Sequence, residues 1–381
     1  MSSSPVYEAV VLGGGLNGLS TLYHLARMGL KRIALFEQFT LFHPYGSSHG
    51  ESRITRSVYF EAIYVHLMRY AREEEWPRLE NDSGKKLIRP CDGCIFGPEH
   101  GLFQKYAQTV LKINPQVHIL DLKTAQRQFP QIQFNSGDGI LQEVTAGIIS
   151  ADQTLRALAQ ISAQRGAVIY ENTAVSKIEV AKNGITLSTA KGSFQTERLV
   201  ITAGAWSAQL LPWMASRLNV IRQSVGYFKI TSPRIDLSSF PVWIYLGENA
   251  KQVYYGLPEV EKNVLKCAQH EVQGRTDIPV GESIAPNPCQ IEHLKNFVKS
   301  HFPFSTLLSQ ADTCLYTVTA TEDFVLSPHP EYPQIVIGSG CSGHSFKFGP
   351  LTGRILAELL LYGKTSIPEF EADRSRFRLN F

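Results

Sequence analysis

Three stretches of this 381-residue sequence carry cationic side chains in settings that could do chemistry. In "GESRITR", Arg53 and Arg56 stand three residues apart. If the segment is a turn of helix, both guanidinium groups fall on one face and repel unless an anion lies between or beside them. The plainer reading is a basic surface pair with acidic neighbours. Lys266 sits in "NVLKCAQH", at the end of an apolar strand where a lone lysine ordinarily snorkels to the surface. His270 closes that region and Tyr255 precedes it in "VYYGLP"; either could line a pocket or be a packed polar residue. Lys347 lies in "GHSFKF", behind a glycine-rich turn. Cys314, between a polar "AD" and an apolar "LYTVT", reads by itself as a small buried side chain.

Such side chains need a scaffold, and the sequence supplies two units of strand, glycine turn and helix. Residues 8–12, "EAVVL", make a buried strand, and Leu19, Leu22, Leu25 and Ala26 recur at helical spacing until Gly29 offers a C-terminal cap. The strand "RIALFE" follows and ends on Glu37. Gly13, Gly15 and Gly18 in the first turn complete a dinucleotide pattern. They allow the tight turn, the backbone's approach to a pyrophosphate and close helix packing. Glu37 can accept from a ribose hydroxyl, which argues against a 2′-phosphate, and the helix N-terminus favours an anion. Near the other end, "QIVIGSGCSGHSFKFGPLTGRILAELLLYG" repeats the arrangement. A nicotinamide enzyme needs one such loop, whereas a flavin is gripped at its adenine end and again along its ring and ribityl chain. Between the two units, Ser150 with Gln153 predicts a capping box and a helix running to Gly166. The strands "AVIYEN", "SKIEVA", "GITLST" and "RLVITAG" follow, with a hairpin at Asn183 and Gly184. Residues 216–310 read as strand-rich, with one helix near "IEHLKNFVKSHF".

Composition bounds the function classes. A 43% hydrophobic, 19% charged chain of this length predicts a soluble protein with two cores. The net charge of +3, with both signs interleaved, argues against a nucleic-acid partner. No membrane span is expected, and "MSSSPVYEAVVLGG" lacks the basic and long apolar regions of a secretory signal. Six cysteines are too sparse for a disulfide framework, so a reducing compartment is expected. "CDGC" at 91–94 has the spacing of a redox or zinc pair but no second pair, and reads as a structural strand end with no metal. The final "LNF" differs from the Ser-Lys-Leu signal, leaving cytoplasm as the expectation and peroxisome open for a eukaryotic chain.

Taken in order, "VLGGGLNGLS", "GSSHGESRITR", "VYYGLP", "LKCAQH", "TCLYTVT" and "GCSGHSFKFGP" resemble the amine-oxidising flavoenzymes of the monomeric sarcosine oxidase type, with N-methyltryptophan and pipecolate oxidases. The resemblance covers most of the chain. It implies an α/β fold: a Rossmann-type FAD-binding domain from residues 1–80, 146–215 and 311–381, and a strand-rich substrate domain from 81–145 and 216–310. It implies FAD held covalently by a thioether from Cys314, with His49 and Arg53 as basic groups that would lower the thiol pKa. Arg53 is then placed against the flavin ring. Arg56, paired with Lys347, binds the substrate carboxylate and orients the reacting C–H bond at roughly 3 to 3.5 Å from flavin N5. Lys266, acting through a water beside N5, supplies the fixed positive charge that stabilises superoxide in a dry site. His270 and Tyr255 line the same pocket. Ser47, His49, Val175, Gly204, Gly340, Gly343 and His344 join Gly13, Gly15, Gly18, Glu37 and Lys347 around the cofactor. Cys341 and Ser345 depart from the family, which more often has an aromatic and a glycine there, so pocket shape is expected to differ. Glu322 and Asp323 read as a solvated acidic pair. The implied activity of this monomer converts a secondary α-amino acid such as sarcosine, pipecolate or a proline-like compound to its imine and reduces O2 to H2O2. Two rivals stand beside it: a dehydrogenase of the same fold using a protein or quinone acceptor, and a dinucleotide-binding protein without turnover. Lys266 discriminates between oxidase and dehydrogenase.

Overall fold

The structure, a computed structural model, describes residues 6–114, 116–231, 239–259, 263–276, 281–304 and 306–379. It is an α/β protein built on two large sheets. The first has six strands in the order Val325–Pro328, Ile335–Ser339, Leu199–Ile201, Ala9–Leu12, Ile33–Phe36 and Val168–Tyr170. All neighbours in it are parallel except the first pair. Helices Leu16–Arg27 and Gly349–Tyr362, the ones that follow the two glycine turns, pack on this sheet through Leu19, Leu22, Leu351, Ile355 and Leu356. Their approach is set by a residue without a side chain. A Cβ at Gly353 would lie 2.4 Å from Ser20 Cβ and from its carbonyl carbon.

The second sheet has eight strands, in the order Thr306–Val318, Asn219–Ile230, Val264–Gln269, Val253–Pro258, Val242–Leu246, Gly93–Pro98, Asp138–Glu143 and Val117–Ile119. Helix Pro288–His301 covers one face, where Trp243 stacks on Phe297 with ring centroids 5.5 Å apart. The domain border expected at 311 falls inside Thr306–Val318. That strand holds no glycine or proline to break it and pairs with Asn219–Ile230 along its length, so Cys314 rides on the eight-stranded sheet. A three-stranded sheet, Ser52–Thr55, Gly147–Ser150 and Ile88–Pro90, lies apart from both.

Arg53 is therefore on a strand, opposite Ile149, and not on a turn of helix. Ser52 and Thr55, at the two ends of "SRIT", are buried, and the ladder to Gly147–Ser150 satisfies the backbone that a helix would have satisfied locally. Ser150 does precede the helix Ala151–Gln164 as its N-cap residue, but its hydroxyl makes no capping bond. The stretch "YVHLMRYAREEEWPRLE" is helical and interrupted: α-helices Ala62–Tyr70 and Trp76–Ser83 flank a π-helical turn, Ala71–Glu75. Among the described residues no helix is long and apolar enough to cross a membrane.

Replacing Gly353 by alanine gains about 1 kcal/mol of helix propensity, but forcing a methyl against Ser20 typically costs 1–3 kcal/mol, roughly. The expected outcome is a lower midpoint of urea unfolding.

Candidate active site

One cavity of about 1030 Å³ opens between the two large sheets, at the upper end of the roughly 300–1,000 Å³ usual for ligand pockets. It is lined by Gly13, Gly15, Glu37, Ser47, His49, Val175, Gly204, Cys314, Gly340, Gly343 and His344, and by Arg53, Arg56, Tyr255, Lys266, His270 and Lys347. Gly18 is the one expected site residue outside the lining. A Cβ there would sit 1.9 Å from Gly13 O, so this glycine serves the contact between turn and helix. At the first turn, Glu37 accepts from Gly14 N at 2.7 Å and Phe39 N at 2.9 Å. Burial pushes its carboxyl above the usual carboxylate range.

Arg53 organises the loop before its strand. It donates to Ser47 O at 3.0 Å, His49 O at 2.6 Å and Ser52 O at 2.8 Å, and its guanidinium lies 5.2 Å from the Phe346 ring centre. Ser47 in turn bonds Leu315 O, which fixes the segment beside Cys314. Burial raises the Cys314 thiol pKa, with Arg53 and then Lys266 opposing it. His49 supplies no charge at neutral pH, contrary to expectation, because burial and then Arg53 hold it down at about 4.

Arg56 and Lys347 meet at one aromatic ring. The Arg56 guanidinium lies 4.4 Å from the Tyr59 ring centre, and Lys347 Nζ donates to the Tyr59 hydroxyl at 2.8 Å and to His344 O at 2.7 Å. Burial, then Arg56, pulls the Lys347 ammonium well below its ordinary range. Glu143, fully buried, opposes that shift; it accepts from Ser57 N and, at 3.0 Å, from the Thr145 hydroxyl. Behind Lys347, Trp76 Nε1 donates to the lysine's own carbonyl at 2.7 Å.

Lys266 is buried rather than snorkelling. Its strand, between Asn219–Ile230 and Val253–Pro258, is buried on both faces, which leaves Lys266 no surface to reach. Nζ donates to Ser52 O at 3.1 Å and to its hydroxyl at 3.3 Å, and stands 3.6 Å from Glu259 Oε2. Burial, then Arg53, draws its pKa down to about 8. Tyr255 and Tyr316 share a hydroxyl bond of 2.7 Å, and His270 Nε2 lies 3.6 Å from Glu322 Oε2. The acidic pair at 322 and 323 splits. Glu322 faces His270, whereas Asp323 is buried and accepts from Tyr64 at 2.9 Å and Arg376 at 2.7 Å, partners too distant in sequence to foresee. Cys341 accepts from the Asn17 amide at 3.4 Å, linking the two glycine turns.

A dinucleotide suits this lining. His49 Nδ1, Trp206 Nε1 and Thr317 Oγ1 belong to cavity residues and, among the described residues, are buried without a hydrogen-bond partner. Buried polar atoms seldom stay so unless a ligand or water meets them. The family model for FAD dependent oxidoreductases matches residues 8–359. The chain belongs to this family. It is 34% identical over 365 residues to the human peroxisomal sarcosine oxidase, covering 93% of this chain and 92% of that protein. Against the monomeric sarcosine oxidase of a Bacillus species it is 28% identical over 388 residues, covering 98% and 96%. In fold it is similar to NikD, an amino acid oxidase of nikkomycin biosynthesis, with a TM-score of 0.86 at 22% identity and 98% coverage of both chains. Of the residues described here, those in the glycine turns are legible from local sequence; Ser52, Tyr59 and Glu143 are not, because Glu259, Lys347 and Ser57, their partners, are remote.

Removing the Glu143 carboxylate leaves buried Lys347 and half-buried Arg56 without a nearby negative charge and Ser57 N without its acceptor. Glu143→Ala is expected to lower stability by about 1–3 kcal/mol in urea unfolding of the holoprotein. Glu143→Gln, which still accepts from Ser57, loses less.

Proposed function

We propose that this flavoprotein oxidises a secondary α-amino acid to its imine and returns the electrons to O2, releasing H2O2. The observation that carries the reading is the convergence of Arg56 and Lys347 on Tyr59 in the cavity that also holds Cys314 and Lys266. FAD, when bound, supplies the two-electron chemistry that no side chain of the cavity offers. Arg56 and Lys347 bind the carboxylate, the guanidinium giving it a fixed fork and the ammonium a second charge. With the acid held there, His270 and the Tyr255 and Tyr316 hydroxyl pair wall the space for the amine. Lys266 places a positive charge where oxygen is reduced. The names of the human and Bacillus relatives support a secondary amine as the substrate class.

Cys314 is the covalent anchor in this reading. Its strand is held to the loop at 46–47 by Leu315, whose N donates to Gly46 O at 3.4 Å and whose carbonyl accepts from Ser47, so Sγ is presented to the cavity from a fixed backbone. Gly13, Gly15 and Glu37, with Val175 and Gly204, would hold the adenine end of the dinucleotide. The chain acts as a monomer, and the human relative's name supports a peroxisomal address as the alternative to the cytoplasm.

Anaerobic addition of sarcosine, L-pipecolate or L-proline is expected to bleach the flavin absorbance band; flavin that stays oxidised with all three overturns the reading. The anchor is checked separately by acid precipitation. The native protein keeps its flavin in the pellet, and Cys314→Ser is expected to release it into the supernatant.

A further inference from the structure

Lys266 is not alone at its end of the cavity. The Ser52 hydroxyl donates to Glu259 Oε2 at 2.8 Å and accepts from Lys266 Nζ at 3.3 Å, so one serine bridges the ammonium and the carboxylate. The two charges are also 3.6 Å apart directly. All three residues are buried. Glu259 is fixed at the backbone too, since its N donates at 2.9 Å to Val264 O, on the strand that carries Lys266. Glu259 has no part in the carboxylate, flavin or oxygen contacts assigned above. A buried acid placed beside a buried cation at the expense of its own hydration needs a reason.

The reason lies in what else faces Lys266. Arg53 comes from strand Ser52–Thr55 and adds like charge. His49, from the preceding loop, also disfavours a second cation when charged. The Tyr227 ring centre is 5.5 Å from Nζ, on strand Asn219–Ile230. Strand Thr306–Val318 contributes Cys314, and Asp312, whose charge acts on Cys314, His49 and Tyr227. Burial and Arg53 therefore both favour the neutral amine, and Glu259 is the largest influence in the other direction.

We propose that Glu259 is the positioning residue for Lys266: directly and through Ser52, it keeps the ammonium charged and aimed into the cavity. The inference rests on the reading that Lys266 serves the oxygen reaction. Losing Glu259 leaves an amine that sheds its proton at lower pH, so the charge offered to oxygen disappears in the neutral range.

The test follows the reoxidation of holoenzyme reduced with dithionite, mixed with oxygenated buffer from about pH 6 to about pH 10. In the native protein the second-order rate constant is expected to fall as pH rises through about 8, where Lys266 loses its proton. In Glu259→Gln the midpoint is expected about one pH unit lower, which makes reoxidation at pH 8 about fivefold slower. Glu259→Asp is expected to restore most of the native profile. A Glu259→Gln midpoint that coincides with the native one, or lies above it, overturns the proposal; a merely structural role would change stability and flavin content without moving the midpoint. Competitive acetylation of Lys266 by acetic anhydride, read by peptide mass spectrometry, gives the same midpoint without turnover. If Glu259→Gln does not fold, Ser52→Ala is labelled instead, and an unchanged midpoint counts against the proposal. Lys266→Met separates the two layers. If reoxidation keeps its native rate and pH dependence in Lys266→Met, the oxygen reading fails, while the labelling result still decides what Glu259 does.

Discussion

Four cationic side chains, Arg53, Arg56, Lys266 and Lys347, line one cavity, and withdrawing charge from water is among the most unfavourable steps in folding. Each cation has been given a different compensation. Arg53 spends its donors on three backbone carbonyls and becomes part of the wall. Arg56 lies on the Tyr59 ring and bonds Val58 O and the Tyr106 hydroxyl. Lys347 and Lys266 are the less secure pair, since an amine can answer burial by losing its proton. Each of them has a buried carboxylate that opposes the loss, Glu143 for one and Glu259 for the other. A site prepared in this way holds its positive potential before any anion arrives, so little reorganisation is needed when one binds.

The two sheets divide this work. The parallel sheet supplies glycine turns and helix N-termini, which suit the phosphates of a dinucleotide. The eight-stranded sheet supplies Tyr255, Lys266 and Cys314 from strands long enough to reach the cavity with side chains in fixed alternation. Ser52 and Arg53 stand on a third, small sheet, so a short piece of chain sets the distance between a loop on one side and Lys266 on the other.

How much of this was legible in the sequence follows from how local each cause is. The glycine turns, the strands beside them and the hairpin near Asn183 depend on neighbours within a few residues; the hairpin forms one residue earlier than read, with Lys182 and Asn183 in the turn and Gly184 opposite Ala181. "SRIT" was misread because its partner, Gly147–Ser150, lies far along the chain, and only that pairing makes it a strand. The same holds for charge. Nothing near Lys266 in sequence announces Ser52, which bridges it to Glu259, and nothing near Asp323 announces Tyr64 and Arg376. The border placed at 311 falls inside a strand for a related reason: a strand ends where its ladder ends, and the ladder's partner, Asn219–Ile230, lies far along the chain.

The π-helical turn at Ala71–Glu75 deserves a last consequence. A turn of this kind accommodates one residue more than an α-helical turn of the same length. Everything downstream is thereby rotated about the helix axis, and Trp76 points its indole at the carbonyl of Lys347. Homologues with an uninterrupted helix here would need a one-residue gap to align structurally at Trp76. A gapless alignment would compare the wrong side chains in the element that braces Lys347, so change at this position of the cavity wall can enter through an insertion as readily as through a substitution.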